Sequence, residues 1–406
     1  MNIPRQVLKI IETLENAGYE AYIVGGCVRD YILKKEPKDW DITTSALPEE
    51  TKKLFPHTYD TGIQHGTITV VADKTNYEVT TYRIDGDYSD FRHPESVTFT
   101  EKIDEDLSRR DFTMNAIAYN ETNGFCDPFK GREDIANKLI KGVGDPDKRF
   151  NEDALRMLRG IRFSAQLNFA IEENTYLSIK RNSSLIKNIS RERIRDEFTK
   201  LLLSPNPEKI IELKNTNLLC EILPVINDKI SEKCKIIRVL KNLAKTKSDD
   251  TALFYCTILA DLTDKEATSV MKSLKFDTKT VKETATLVKY LKFEIEKNKY
   301  EIRKTISQIG VDLFKKLIIM RKATSEDETI SKQIDNVENL FNEILEDNDC
   351  CSLKELKING NILKSLGIKD GCLIGTILKS LLEKVLQEPK LNEENKLIEL
   401  AKETQK

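Results

Sequence analysis

Two aspartates one residue apart, Asp39 and Asp41, follow a Gly25-Gly26-Cys27-Val28-Arg29-Asp30 block. On a strand, side chains alternate faces, so Asp39 and Asp41 point one way while Trp40 and Ile42 point to the core. Two carboxylates on one face repel each other unless a cation lies between them, and Mg2+, a hard ion with oxygen ligands, suits such a pair. A Gly-Gly turn between a strand and a helix leaves bare backbone N–H groups for a phosphate. Together these parts describe phosphoryl or nucleotidyl transfer by paired metals about 4 Å apart. Either block alone also fits an exposed strand or an ordinary turn; the strand–turn–helix context followed by the aspartates is what carries the chemistry. A third carboxylate can join such a pair from a neighbouring strand, and Glu78 and Asp111 compete for that place.

A second cluster runs from Asp106 to Ala116. Arg109 and Arg110 would neutralise a polyphosphate, and Asp111 or Asn115 could bond ribose hydroxyls. Ser108 and Asp111 also fit a capping box that starts a helix. The third cluster, Arg149 to Arg159, begins a helix with Asp153 and Arg156 on one face. A carboxylate only accepts hydrogen bonds and a guanidinium only donates them. Cytosine and adenine each offer an exocyclic amine beside an unprotonated ring nitrogen, which such a pair satisfies; uracil and guanine leave it mismatched. Arg159 completes the nucleotide-binding set. An acidic first turn with an i,i+3 ion pair is the plainer reading of the same residues.

The elements that must position these groups are legible in outline. A helix from Pro4 to Ala17 carries Val7, Leu8, Ile10, Ile11 and Leu14 on its apolar side and stops at Gly18. Strands are expected at Ala21–Val24, Asp39–Thr44, Thr67–Ala72 and Tyr77–Tyr82, with an edge at Val97–Phe99, and a helix over Val28–Lys34. Helical periodicity marks Asn151–Gln166, Arg191–Leu203, Pro207–Leu213, Lys279–Lys292 and Leu373–Leu386. Of 16 glycines and 11 prolines, ten and seven precede residue 151. A turn-dense front and a breaker-poor rear imply an α+β head on a long helical body. Glycines 360, 367, 371 and 375 suggest tight corners, and the chain beyond Glu388 reads as a charged, fraying tail.

Composition narrows the class. The 406 residues suit two to four modules. With 65 Lys+Arg against 67 Asp+Glu the chain is near neutral, which excludes a polybasic partner but leaves a local basic face. Such a face is expected from Ala154 to Lys200, where ten basic residues meet five acidic ones, ending in Arg191, Arg193, Arg195 and Lys200. That excess suits an RNA backbone. Only His57, His65 and His93 occur, so a His-rich metal centre has no ligands after residue 93. Eight scattered cysteines, no signal-like start and no bilayer-length apolar run point to a cytoplasmic protein with no membrane or DNA partner.

The ordered blocks Gly25-Gly26-x-Val28-Arg29-Asp30, Asp39-x-Asp41, Arg109-Arg110-Asp111, Glu152-Asp153-x-x-Arg156 and Arg191 to Lys200 resemble the motifs of class II tRNA nucleotidyltransferases. That family contains the CCA-adding enzymes and bacterial poly(A) polymerases. The resemblance is dense over residues 20–200 and sparse beyond. It implies a polymerase-β-like head with a mixed sheet at 1–135, a helical neck at 136–200 for base recognition, a body at 201–320 and a tail at 321–406, with tRNA along the basic side. It also implies that Asp39 and Asp41 hold Mg2+, that Arg109, Arg110 and Asp111 hold triphosphate and ribose, and that Asp153 and Arg156 select CTP and ATP. The full-length Arg83–Pro94 loop, which enzymes restricted to CC addition largely lack, implies that A can be added. The Tyr59–Thr67 segment resembles the CCA-adding branch more than the poly(A) branch; an A-adding enzyme or a poly(A) polymerase is the alternative. Cys372 stands where the family's tail suggests proline.

Overall fold

The computed structural model describes residues 3–86, 88, 94–293, 298–368 and 370–403; most of the loop between Gly86 and Pro94 lies outside them. The chain forms two compact units, residues 1–237 and 238–406. The first unit therefore holds the expected head and neck as one body and cuts the expected 201–320 segment.

In the first unit, α1 (Arg5–Asn16) precedes β1 (Ala21–Val24), α2 (Gly26–Ile32), β2 (Asp41–Thr44) and α3 (Pro48–Leu54). Then come β3 (Thr58–Gly62), β4 (Thr67–Ala72), β5 (Thr75–Thr81), β6 (Arg83–Asp85) and β7 (Val97–Phe99). A helix α4 (Ile103–Ser108) leads to β8 (Ala118–Asn120) and β9 (Gly124–Cys126). Seven strands form one mixed sheet in the order β3-β4-β5-β2-β1-β8-β9, with β2 and β5 parallel and the other neighbours antiparallel. The Val97–Phe99 segment pairs only with β6, in a separate two-stranded sheet, and is not an edge of the main one. Val7, Ile10 and Leu14 of α1 and Val28 of α2 bury against Ile23, Ile42 and Val79 of the sheet, which forms the core behind the site. Tyr22, Val24, Tyr82, Leu107 and Ala118 build a smaller cluster.

Helices α5 (Gly131–Ala136), α6 (Pro146–Glu152), α7 (Leu155–Leu167), α8 (Glu173–Asn182) and α9 (Arg191–Leu202) follow. Two readings of this region change. The single helix expected over Asn151–Gln166 is broken at Asp153, whose backbone is extended (φ −142°, ψ 102°). Its Oδ1 accepts the Leu155 N–H at 3.0 Å, so Asp153 acts like a cap between α6 and α7. Ser108 ends a helix where a helix start was expected; its Oγ donates to the Glu105 carbonyl.

The second unit is helical among its described residues, with long helices at Thr278–Tyr290, Val311–Thr324, Glu328–Glu346 and Gly371–Gln387. Of the four spaced glycines only Gly367 turns left-handed (φ 92°); Gly360 and Gly371 open helices and Gly375 lies inside one. The tail does not fray at Glu388: Glu394–Glu403 is a helix that buries Leu397 and Ala401, because apolar residues four apart face the same cluster.

Candidate active site

Strand register assembles the site. Val24, the last residue of β1, pairs with Asp41, the first of β2, so the Gly25–Gly26 turn lies beside Asp41. On the other side of β2, Ile42 pairs with Val79, which sets Glu78 next to Asp41. Asp39 and Asp41 are exposed, whereas Ile42 is buried and Trp40 packs against the core. The alternation expected over residues 39–42 holds, although the strand begins only at Asp41.

The three carboxylates sense one another. Partial desolvation raises the Asp41 pKa, Arg110 opposes the rise and Asp39 adds to it. Glu78 is raised by desolvation and then by the charges of Asp41 and Asp39. A cation between the aspartates would relieve this repulsion, so the residues fit a divalent ion. Among the described residues no group of three or more His, Cys, Asp or Glu forms a ready metal cluster. The donor set is of the kind that uses one or two carboxylates and takes its remaining ligands from substrate phosphates and water. Glu78 stands beside that pair as a neighbouring charge.

These upward shifts set a pH dependence. The folded protein holds the two protons more tightly than the unfolded chain does, so stability is lost as pH rises through the folded-state pKa values. In buffer free of divalent ions, the Tm of wild type should fall more steeply, from the ordinary carboxylate range towards neutrality, than that of a D41N/E78Q variant. Thermal melts across that range check this; parallel curves would count against mutual repulsion.

The arginines lie on the other side of the turn. Gly25 has φ 81°, and a Cβ there would come 2.9 Å from Nη1 of Arg110, so a guanidinium covers the turn where only glycine fits. Arg109 Nε and Nη2 donate to Asp106 Oδ1 at 3.0 and 2.8 Å. Arg29 donates through Nε and Nη2 to Asp30 at 2.9 and 2.7 Å. Its Nη1 reaches Asn115 Oδ1 at 2.8 Å, and Asn115 Nδ2 donates to Asp111 Oδ1 at 3.0 Å. Arg159 donates to Asp111 Oδ2 at 2.8 Å from Nε. Burial alone would raise Asp111, but Arg159 and the Asn115 amide hold it far below the ordinary carboxylate range. Asp111 thus shares its charge with Arg159 and its Oδ1 with Asn115, whereas Glu78 is the carboxylate that feels Asp41 and Asp39. The guanidinium carbons of Arg29, Arg159 and Arg162 lie 5.1, 5.5 and 3.8 Å from the ring centre of Phe163. Phe163 was not singled out from sequence, and neither was the buried Arg162–Glu197 pair at 2.6 Å.

The residues expected to read the base have partners of their own. Asp153 meets Arg193 of α9 at 2.8 Å, not Arg156. Arg156 Nη1 bonds Glu152 at 2.8 Å, its Nη2 donates to the Arg109 carbonyl at 2.9 Å, and Arg149 meets Glu152 at 2.7 Å. The i,i+3 ion pair of the plainer reading is therefore replaced by separate pairs, Asp153 with Arg193 and Arg156 with Glu152. Among the residues expected to face RNA, Arg193 is drawn inward by Asp153, and Arg191 donates to the Ile222 carbonyl at 3.2 Å. Arg195 pairs with Asp196, and Lys200, more than half exposed, lies 3.5 Å from Glu197.

Comparison with known proteins follows the same layout. Residues 21–141 match the model "Poly A polymerase head domain", residues 168–230 a model for a probable RNA and SrmB-binding site of polymerase A, and residues 218–401 a model for tRNA nucleotidyltransferase domain 2. The CCA-adding enzyme of Ligilactobacillus salivarius is 35% identical over 409 residues, covering 99% of this chain and 97% of its own. That of Geobacillus kaustophilus is 51% identical over 225 residues, 55% of this chain and 56% of its own. Among solved structures, the Bacillus stearothermophilus CCA-adding enzyme in complex with CTP is similar at TM-score 0.82 and 31% identity, covering 99% of this chain and 97% of that one.

Proposed function

We propose that this chain, which belongs to the class II tRNA nucleotidyltransferase family, adds cytidylate and adenylate from CTP and ATP to the 3′ end of tRNA without a nucleic-acid template. The observation that carries this reading is the exposed Asp39–Asp41 pair set by strand register beside the Gly25–Gly26 turn, with Arg110 over that turn. Similarity to CCA-adding enzymes along nearly the whole chain supports the choice of tRNA and of both nucleotides.

In the reaction a bond forms between the tRNA 3′ oxygen and the α-phosphorus, the bond from that phosphorus to the β-phosphate oxygen breaks, and pyrophosphate leaves. The hydroxyl proton passes to solvent. Asp39 and Asp41 would hold divalent ions, which we take to be Mg2+; when bound, such ions offset phosphate charge and make the attacking hydroxyl more acidic. Arg109 and Arg110 take the triphosphate, and Asp111 with Asn115 fixes the sugar. Asp153 accepts from the amine of cytosine or adenine while Arg156 donates to the adjacent ring nitrogen. Both exchange an internal partner for the base. Arg195 and Lys200, on α9, meet the tRNA backbone. Among the described residues no helix is long and apolar enough to cross a membrane. The scattered free cysteines fit a reducing, cytoplasmic setting.

The test is purified protein with tRNA lacking its 3′ CCA and labelled nucleotides, singly and mixed. CTP alone should extend the tRNA, ATP should extend it only after CTP, and UTP and GTP should give nothing. Long runs of A from the mixture would select a poly(A) polymerase, and no incorporation at all would overturn the reading.

A further inference from the structure

The two arginines that take the triphosphate are consecutive in sequence, are crowded by each other's charge, and need something to hold both guanidiniums on one side. One residue does so. Asp106 is 0% exposed and sits in the last turn of α4, three and four residues before Arg109 and Arg110. Its Oδ1 takes Arg109 at 2.8 and 3.0 Å, and its Oδ2 lies 3.6 Å from Arg110. The remaining contacts fix the carboxylate to the sheet. The Arg83 N–H donates to Oδ1 at 3.4 Å, and Oγ1 of Thr43, two residues beyond Asp41 on β2, reaches Oδ2 at 3.4 Å. Arg110, held from this side, lies over Gly25 and is felt by Asp41, and its buried Nε has no partner.

A carboxylate buried this deeply is costly unless cations repay it. Asp106 is the one carboxylate shared by both arginines; Arg109 also has Asp85 at 3.8 Å, and Arg110 turns towards Gly25 and Asp41. We infer that Asp106 is a positioning residue that sets Arg109 and Arg110 for the β- and γ-phosphates of either nucleotide and for the departing pyrophosphate. This rests on the function proposed above. The role is blind to the base, because it runs through the two guanidiniums, whereas Arg156 meets Arg109 at its backbone carbonyl. It acts on triphosphate binding and not on the attacking hydroxyl.

D106N keeps the shape and removes the shared charge, which leaves Arg110 without its 3.6 Å ion pair and Arg109 with Asp85 at 3.8 Å. The KM for CTP and for ATP should rise together by about 10- to 30-fold, with kcat within about 3-fold of wild type. The KM for tRNA should not move. In an R109A/R110A background the same substitution should cost nothing further, since Asp106 acts through those side chains. Pyrophosphate binding, read by calorimetry without tRNA, should weaken in parallel, and this readout stands even if wild type incorporates no nucleotide. A fall in kcat at unchanged KM, a change confined to one nucleotide, or unaltered pyrophosphate binding overturns the assignment. Should D106N not fold, D106E keeps the charge but moves it by one methylene; raised nucleotide KM with retained kcat supports the assignment, and unchanged KM overturns it.

Discussion

D41N should reduce incorporation of CMP and AMP by about 1,000-fold or more, a loss of about 4 kcal/mol of transition-state stabilisation. Asp41 is the carboxylate on which the turn, Glu78 and Arg110 converge. The Gly25–Gly26 turn adjoins it through β1, Glu78 through β5, and Arg110 senses it across the turn. The amide is nearly isosteric, so the β2 pairing with β1 and β5 is kept, and tRNA affinity measured by gel shift should stay at the wild-type level. Residual activity above a few per cent would place the metal-binding group elsewhere. Lost tRNA binding would show that the substitution disturbs more than the site.

D153N should act on choice more than on rate. An aspartate can only accept, whereas an asparagine presents an acceptor on one side and a donor on the other and can turn either way. The variant can therefore meet the carbonyl of uracil as well as the amine of cytosine. Discrimination between CTP and UTP should fall about 100-fold, with the kcat/KM for CTP itself reduced. Competition between labelled CTP and UTP checks this, and an unchanged ratio would remove Asp153 from base recognition. The substitution also weakens the link to Arg193, so R193M serves as the control. It should leave the CTP preference intact if Asp153, and not its partner, reads the base.

The parts of the site that depend on local geometry were legible in the sequence. Alternation over residues 39–42 follows from strand geometry alone, and the glycine pair after β1 has only a few conformational uses. Partners distant in sequence were not legible. Arg193 and Asp153 are 40 positions apart, and no local pattern distinguishes an arginine that turns inward from one that faces RNA. The break at Asp153 left a faint mark, since aspartate is a good cap residue, but the surrounding periodicity runs through it and reads as one helix. Asp106 was visible as a carboxylate three and four positions before two arginines, a spacing that a helix turns into contact. The capping-box reading of Ser108 obscured it by placing a helix start where a helix ends. In the tail, charge density suggested disorder, yet Leu397 and Ala401 are enough to seat a last helix.

The circuit that runs from Arg29 through Asn115 and Asp111 to Arg159, closed by the Phe163 ring, has a consequence for how two bases of unequal size share one pocket. It clasps α2, the segment between α4 and β8, and α7 together, like a buckle whose teeth are already engaged. On the proposed reading, in which Asp111 and Asn115 fix the sugar, the sugar registers against a fixed origin. On the same reading the extra ring of adenine finds its space on the far side, at Asp153 and Arg156, and growth from C to A is a matter of yielding there while the buckle stays shut.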